Sequence, residues 1–480
     1  MSARPSPAYH KQGDCHQLPA TRYHLQLVSF STDVLIVGAG AAGLAAGQAL
    51  TAAGRRVIIL EARDRIGGRI FTLPATGPGV PIELGAEFVH GRPPEIFHLA
   101  EQAGLELDEL QGEFWYAHNG KLRQDEFPSG RSPVFERMEK YQGPDLPFRR
   151  FLDEYCADLP AEAKLWATAY VEGFHGADAE LISLQSIVAG EKAEEEINGD
   201  RQFRLVHGYQ DLIEAMHRGI DPALSQLRLN LVVQSVRWQP ARVEIETASP
   251  QSEPLPMFSA PSAVITLPLS ILQLPATGEG AVHFVPALDT KAKAFSQLAM
   301  GTAVHVTLIF REAFWRTAAF AGSSGTLADM QFLFSENPLF PTWWSKLPSQ
   351  APVLVGWSAG ARAQQLCGLA ASDITEKAVK ALASILRMTT EHVSSLLQAA
   401  YVHDWQADPF SRGAYSYVVA GGTEQAQREL AAPLADTLFF AGEATNFQGY
   451  HATVHGAIAS GYRAAAELLK RTSPWAPPAE

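Results

Sequence analysis

Asp33-Val34-Leu35-Ile36-Val37-Gly38-Ala39-Gly40-Ala41-Ala42-Gly43 runs into an alanine-rich helical pattern and then into Arg56-Val57-Ile58-Ile59-Leu60-Glu61. This reads as strand, glycine turn, helix and strand, with an acid closing the second strand. Gly38 permits the tight turn, Gly40 lets the backbone approach a pyrophosphate, and Gly43 lets the helix lie close on the strand. The helix N-terminus, at Ala42, offers free N–H groups and a positive dipole end to phosphates. Glu61 follows about 20 residues after the glycines, where a carboxylate accepts from ribose hydroxyls. Both strands and the acid together point to a dinucleotide site. The plain alternative is a helix–strand contact that needs small residues.

The next residues choose among dinucleotides. Ala62-Arg63-Asp64-Arg65-Ile66-Gly67-Gly68-Arg69 places three arginines and a glycine pair directly after Glu61. A site for NAD has no need of this second segment. It resembles the extended FAD signature of glutathione-reductase-like flavoproteins, in which the glycine pair and the arginine lie along the diphosphate. The alternative is an ordinary basic loop.

The 480 residues, 46% hydrophobic and 19% charged, suffice for two domains and a large core. The net charge of −13 argues against nucleic acid as a partner and fits a cationic substrate only loosely. Cys15, Cys156 and Cys367 show no metal or redox spacing, and so sparse a set points to a reducing compartment, with a cytoplasmic location as the expectation. Residues 1–30 are polar, lack the apolar core of a secretory signal and read as a flexible arm. Cys15 and His16 near His10 are more simply tail residues than metal ligands. No run reaches the ~18–20 apolar residues of a membrane span.

Further along, Pro81 to Gly91 reads as a strand entering a glycine-bounded turn, and residues 93–200 read as mostly helical. The charged run Glu191 to Glu196 reads as a solvated helix face. Alternation at Leu227 to Glu246 and Ala263 to Leu267, and again at Ala303 to Phe310 and Val353 to Trp357, marks strands. Residues 371–400 read as two helices, Leu438 to Glu443 as a buried strand, and about 453–470 as a long helix of small residues. The expected fold class is α/β: a Rossmann-type FAD domain interleaved with an α+β substrate domain of mixed sheet and helices. The nucleotide domain takes residues 31–92, 203–268 and 402–470, and the substrate domain 93–202 and 269–401. Residues 471–480 form a tail.

Several motifs in fixed order now carry a family resemblance. They are the glycine loop with Glu61 and Gly67-Gly68-Arg69; Leu84-Gly85-Ala86-x-Phe88-x-x-Gly91; Trp405 to Ser416; Phe440-Ala441-Gly442-Glu443-Ala444-Thr445; and Thr453-Val454-His455-Gly456-Ala457. From about residue 32 to 470 the chain resembles the flavin amine oxidases: monoamine oxidases, polyamine oxidases and lysine-specific histone demethylases. The resemblance implies FAD, a small-molecule amine and dioxygen as partners. It places Gly85, Ala86, Gly442 and Glu443 on the cofactor, puts the backbone of Val233 against the adenine, and aims the helix starting near Thr453 and Val454 at the flavin.

The resemblance also assigns the substrate end. Trp405 and Tyr415 match aromatics of the substrate cavity, Tyr415 being one wall of a cage that orients the amine. Thr453 falls where monoamine oxidases carry the opposite tyrosine, which implies a wider site. Ala414 replaces the cysteine that tethers flavin in monoamine oxidases, so non-covalent FAD is expected. His305 stands where the family lysine holds a water beside the flavin, and His90 where animal polyamine oxidases place a histidine. The implied activity is oxidation of a primary or secondary amine, polyamines included, to an imine with release of hydrogen peroxide. Three rivals remain. A desaturase or porphyrinogen oxidase would not be expected to show these forms of the Trp405–Tyr415 and Thr453–Ala457 segments. An L-amino-acid oxidase would want an arginine where Glu87 stands, although Arg92 is near. A flavoprotein that binds a partner without turnover draws its support from His305.

Overall fold

The computed structural model describes residues 29–74, 79–125, 132–275, 277–317 and 326–472. Residues 1–28, with the three residues of the N-terminal metal alternative, and 473–480 lie outside this set. Of the arm expected at 1–30, Ser29 and Phe30 instead begin a strand, Ser29–Ser31. Of the tail expected at 471–480, residues 471 and 472 instead end the last helix, which runs to Thr472.

The glycine stretch folds as its spacing dictates. Val34–Val37 and Val57–Leu60 are fully buried parallel strands, joined through the helix Ala41–Ala52. Their apolar, β-branched residues suit strands covered on both faces. The parallel sheet extends through Ser225–Arg228 beside Val57–Leu60, and through Ser262–Ile265 and Leu438–Phe440 on the other side. It is thus assembled from early, middle and late parts of the chain. The last helix, Val454–Thr472, packs on Ala41–Ala52 through small residues: a Cβ on Gly461 would stand 2.2 Å from the Ala42 carbonyl oxygen.

Gly43 shows the same economy of space. A Cβ there would lie 2.0 Å from the Gly38 carbonyl oxygen, a backbone atom that cannot swing aside. Gly43→Ala is therefore expected to cost at least the ~1–3 kcal/mol typical of overpacking. It should lower the denaturation midpoint of the apoprotein and weaken FAD retention. A midpoint equal to wild type would show that the turn has slack.

A second sheet, built on Val232–Gln239, Arg242–Ala248 and Pro254–Ala260, carries Ser29–Ser31 at one edge and His283–Val285 at the other. Residues 283–285, expected in the substrate segment, thus pair with a strand of the nucleotide segment. The third sheet has seven strands, in the order 397–402, 303–310, 353–359, 342–345, 330–335, 113–118 and 121–125. The last two overturn part of the helical reading of residues 93–200. Phe114, Trp115 and Tyr116 alternate with the pleat and pair with Phe332 to Phe334, so aromatic β-propensity prevails there. Helices Phe148–Tyr155, Ala161–His175 and Leu184–Glu196 enclose a core of their own around Phe148, Phe151 and Ile187. Residues 371–400 form the two expected helices, Ala371–Leu386 and Thr390–Leu396, before turning into a strand at Leu397. Among the described residues no helix is long and apolar enough to cross a membrane.

Candidate active site

One cavity of about 1170 Å³ runs from the glycine loop to the seven-stranded sheet and the helices facing it. Of the cofactor and substrate residues expected from sequence, all but Gly43 line it. Gly43 acts behind the wall, as its close approach to Gly38 requires.

At the nucleotide end, the helix Ala41–Ala52 starts without a side-chain cap and with no acid in its first turn, leaving its N–H groups to an anion. Glu61 is buried and accepts from the backbone N–H of Ala39 at 2.8 Å and of Arg63 at 2.9 Å, which fixes its carboxylate at the lip of the loop. Each of its oxygens keeps a second lone pair for a ribose hydroxyl. Val233 sits beside a register shift in its strand pairing, and a bulge of this kind loosens the local ladder and frees backbone groups.

The arginines behind Glu61 hold the loops together. Arg65 donates to the carbonyls of Ile66, Ile70 and Gly68 and lies over the Phe71 ring, fastening the Gly67-Gly68 turn. Arg63 donates to Asp408 and Ser411, tying the turn to the Trp405–Ser416 segment. Arg69 donates to the Ala414 carbonyl at 2.8 Å and to Glu443 at 2.9 Å. Glu443 also accepts from the Ser416 hydroxyl at 2.6 Å and from the Ala452 N–H at 3.0 Å. Burial pushes its carboxyl up, but the Arg69 charge and these hydrogen bonds outweigh that, and its pKa falls below the ordinary value.

Thr453 donates its hydroxyl to the Tyr450 carbonyl and accepts from the Gly456 N–H at 3.0 Å, capping the last helix. Where the resemblance leads one to expect the second cage wall, it therefore presents a small side chain to the cavity. Trp405 is buried and donates to the Leu84 carbonyl at 2.6 Å. The Tyr415 hydroxyl donates to the Phe174 carbonyl at 2.9 Å, and its ring stands against Gly176, where a Cβ would come within 3.1 Å. Burial, with Glu443 near, pushes that phenol up, so it stays protonated.

His305 lies on the strand Ala303–Phe310, opposite Trp357, and its Nε2 meets the Glu83 carbonyl at 2.7 Å. A carbonyl only accepts, so Nε2 carries the proton and Nδ1 is the free acceptor. Burial lowers the pKa of His305, against the pull of Glu87, and the ring is neutral at neutral pH. Glu87 itself is engaged by Lys346 at 2.7 Å and Arg204 at 3.0 Å. His90 packs edge-on to Phe174 at 5.3 Å, and burial lowers its pKa to about 4.

Other lining residues were not legible as site residues. His175 and His451 line the same cavity, each with one buried ring nitrogen lacking a partner. Phe332, Trp344 and Trp357 extend the apolar wall from the seven-stranded sheet. The reading of Glu191 to Glu196 as a solvated face needs correction. Glu195 and Glu196 are exposed, but Glu191 and Glu194 are half-buried, and Glu191, Glu194 and Glu195 all line the cavity. The spacing of three residues between Glu191 and Glu194 was the available signal.

The residues fit FAD on three observations. The capless helix end and Glu61 suit a nucleotide. A Cβ on Gly442, which lines the cavity, would meet nothing within 4 Å, so the backbone there leaves open space. His455, at the start of the last helix, also lines the cavity with a buried Nε2 lacking a partner. Fold and site together define a flavin-dependent amine oxidoreductase. Residues 41–165 and 145–469 match the family described as flavin containing amine oxidoreductase, and the chain belongs to it. The chain is 30% identical over 475 residues to polyamine oxidase 3 of Oryza sativa subsp. japonica, covering 92% of this chain and 90% of that protein. Among solved structures, wild-type putrescine oxidase bound to putrescine superposes with a TM-score of 0.74 at 20% identity, covering 92% of this chain and 100% of that one. Cyclohexylamine oxidase from Brevibacterium oxydans IH-35A gives 0.71 at 20% identity, over 92% and 99%. FAD is the cofactor, and the chain is an amine-oxidising oxidoreductase.

Proposed function

We propose that this enzyme oxidises primary or secondary amines, polyamines among them, to imines, and passes the electrons to dioxygen as hydrogen peroxide. One observation carries the substrate class. The cavity that holds the nucleotide-binding set continues into an apolar end walled by Tyr415, Phe332, Trp344 and Trp357. The arginines lining that cavity among the described residues, Arg63 and Arg69, are both ion-paired, and Arg92 is stacked on Phe97 outside it. A substrate carboxylate therefore finds no free guanidinium, which disfavours the amino-acid oxidase reading.

When bound, FAD supplies the acceptor for the α-hydrogen and two electrons of the amine. The chain supplies position and dryness. The glycine loop and Glu61 would hold the nucleotide, Val233 the adenine, and Arg69, Gly442, Glu443 and Val454 the region nearer the ring. Tyr415 and Trp405 orient the amine in an apolar, water-poor space, and the neutral amine leaves as an imine that water hydrolyses. Ala414 has no thiol, and neither Cys156 nor Cys367 lines the cavity, which supports non-covalent FAD. The sparse cysteines, with those two free, support a cytoplasmic setting. The purified protein should be yellow, lose its flavin absorbance under anaerobic amine, form peroxide in air, and release intact FAD with acid. Absorbance unchanged by every mono-, di- and polyamine offered would overturn the assignment.

His305 bears on dioxygen. A neutral imidazole held by the Glu83 carbonyl cannot supply the cationic donor that the family lysine supplies, and burial lowers its pKa, which favours the neutral ring. Slow, pH-independent reoxidation between about pH 7 and 9 is expected, starting from an ordinary imidazole near ~6.5. His305→Lys should speed reoxidation roughly tenfold or more, less than the ~100-fold of a fully preorganised donor, and leave the reductive step nearly unchanged. Stopped-flow reoxidation of both proteins decides it. Equal rates would separate His305 from the oxygen reaction.

A further inference from the structure

One buried carboxylate on the cavity wall answers two buried cations. Glu87 lines the cavity, and its Oε1 meets the Lys346 ammonium at 2.7 Å and the Arg204 guanidinium at 3.0 Å. All three side chains are enclosed, and Arg204, the most open, is only 11% exposed. Burial would push the Glu87 carboxyl up, but Lys346 and Arg204 pull its pKa down to about 2, so it is ionised. Its Oε2 is buried with no hydrogen-bond partner among the described residues. The other acid nearby, Glu83, accepts from the Thr72 hydroxyl at 2.6 Å and from the Tyr209 N–H at 2.8 Å. Burial raises its pKa to about 7, so at neutral pH it adds only part of a second negative charge. His305, lowered by burial, adds no positive charge of its own. The cluster therefore holds a surplus of positive charge, in surroundings where uncompensated charge is costly.

Packing places this surplus at the end of the cavity where electrons change hands. Glu87 lies between Ala86, expected on the cofactor, and Phe88, whose ring packs on Trp344 at 5.2 Å and on Phe332 at 5.7 Å in the apolar wall. Lys346 directly follows the strand Thr342–Ser345. Arg204 clamps it from both sides, donating to the carbonyls of Ser345 and Leu347 at 3.0 Å each, and lies over the Phe88 ring at 4.7 Å. Neither cation lines the cavity, so both act through Glu87 and across the wall. The α-hydrogen and two electrons that leave an amine carry one net negative charge to the cofactor. Fixed positive charge in a dry wall favours that change without rearranging.

We propose that Lys346 and Arg204, locked onto Glu87, set the reduction potential of the bound FAD: their surplus charge favours the reduced cofactor and draws electrons from amine to flavin. Both are positioning residues, touching neither substrate nor cofactor. The role rests on FAD lying against Gly85 and Ala86. It concerns the arrival of electrons, whereas the part expected of His305 concerns their departure to dioxygen.

The midpoint potential of FAD in the holoenzyme, read at pH 7 by anaerobic equilibration with a reference dye, tests this without turnover. Lys346→Met removes one charge and leaves Arg204 on Glu87. It should shift the reduced-to-oxidised ratio roughly tenfold toward the oxidised form, ~30 mV for a two-electron couple. Arg204→Met should shift it in the same direction, and Lys346→Arg should hold the wild-type value. The limiting rate of flavin reduction by an amine should fall with the potential while KM stays nearly constant. Methionine variants that bind FAD at the wild-type potential would overturn the role and leave the amine-oxidase reading standing. A Lys346→Arg potential as low as that of Lys346→Met would also overturn it, because packing and not charge would then be responsible. Should Lys346→Met not fold, Arg204→Met and Lys346→Arg still decide.

Discussion

Tyr415→Ala is expected to slow flavin reduction by the best amine about 100-fold while FAD stays bound. The ring is held from two sides: its hydroxyl by the Phe174 carbonyl at 2.9 Å, and its face by Gly176, which leaves room for it. Alanine removes the wall and opens a hole that the amine can wander into, and misplacement by about 1 Å costs this much. The cofactor should remain, because Glu61, Arg69 and Glu443 are fastened by contacts that do not pass through the tyrosine ring. Tyr415→Phe keeps the ring and loses only the hydroxyl contact, so its loss should be much smaller. Stopped-flow reduction with FAD content measured alongside provides the check. A wild-type rate in the alanine variant would move the substrate away from this ring.

The second large effect is structural. Glu443→Ala should destabilise the protein by about 3–5 kcal/mol, the usual consequence of deleting one member of a buried charge pair. Arg69 would be left without its partner carboxylate, and Ser416 and Ala452 without their acceptor. The pH dependence follows from the lowered folded-state pKa. Unfolded glutamate titrates near ~4.3, so the stabilisation by Glu443 is fully present above that value and is lost as pH falls through the lower folded pKa. The gap between wild type and variant in urea denaturation should therefore be full at neutral pH and shrink under acid. A gap that persists undiminished in strong acid, or one below 1 kcal/mol at pH 7, would contradict this network.

The nucleotide half was legible because its chemistry is local. Gly38, Gly40, Gly43 and Glu61 sit within one strand–helix–strand unit, and spacing alone assigns their tasks. Tyr415, Trp405 and Thr453 could be placed only through family resemblance, since nothing in their local pattern distinguishes a cavity wall from a core aromatic. The histidines show where pattern runs out. His175 and His451 meet the same cavity from segments far apart in the chain, and no periodicity announces that. Glu191 and Glu194 illustrate a related reason: a run of glutamates carries the composition of a wet surface, and only tertiary packing brings part of such a run onto a cavity wall. Residues 113–118 read as helical in isolation because the pairing that makes them a strand is partly with residues 330–335, more than 200 positions away.

The parallel sheet joins strands from the beginning, middle and end of the chain, and this sets an order in time. During synthesis at ~5–20 residues per second, about 20 to 80 s separate the emergence of Gly38 from that of Glu443. Until then the early loop carries its glycines and Glu61, but Arg69 waits for its counter-ion and Ala41–Ala52 for the helix that covers it. A flavin arriving on the nascent chain would meet half a grip. Loading of the cofactor is thus tied to completion of the polypeptide, so a ribosome-stalled or truncated product lacking residues beyond Phe440 would be born colourless.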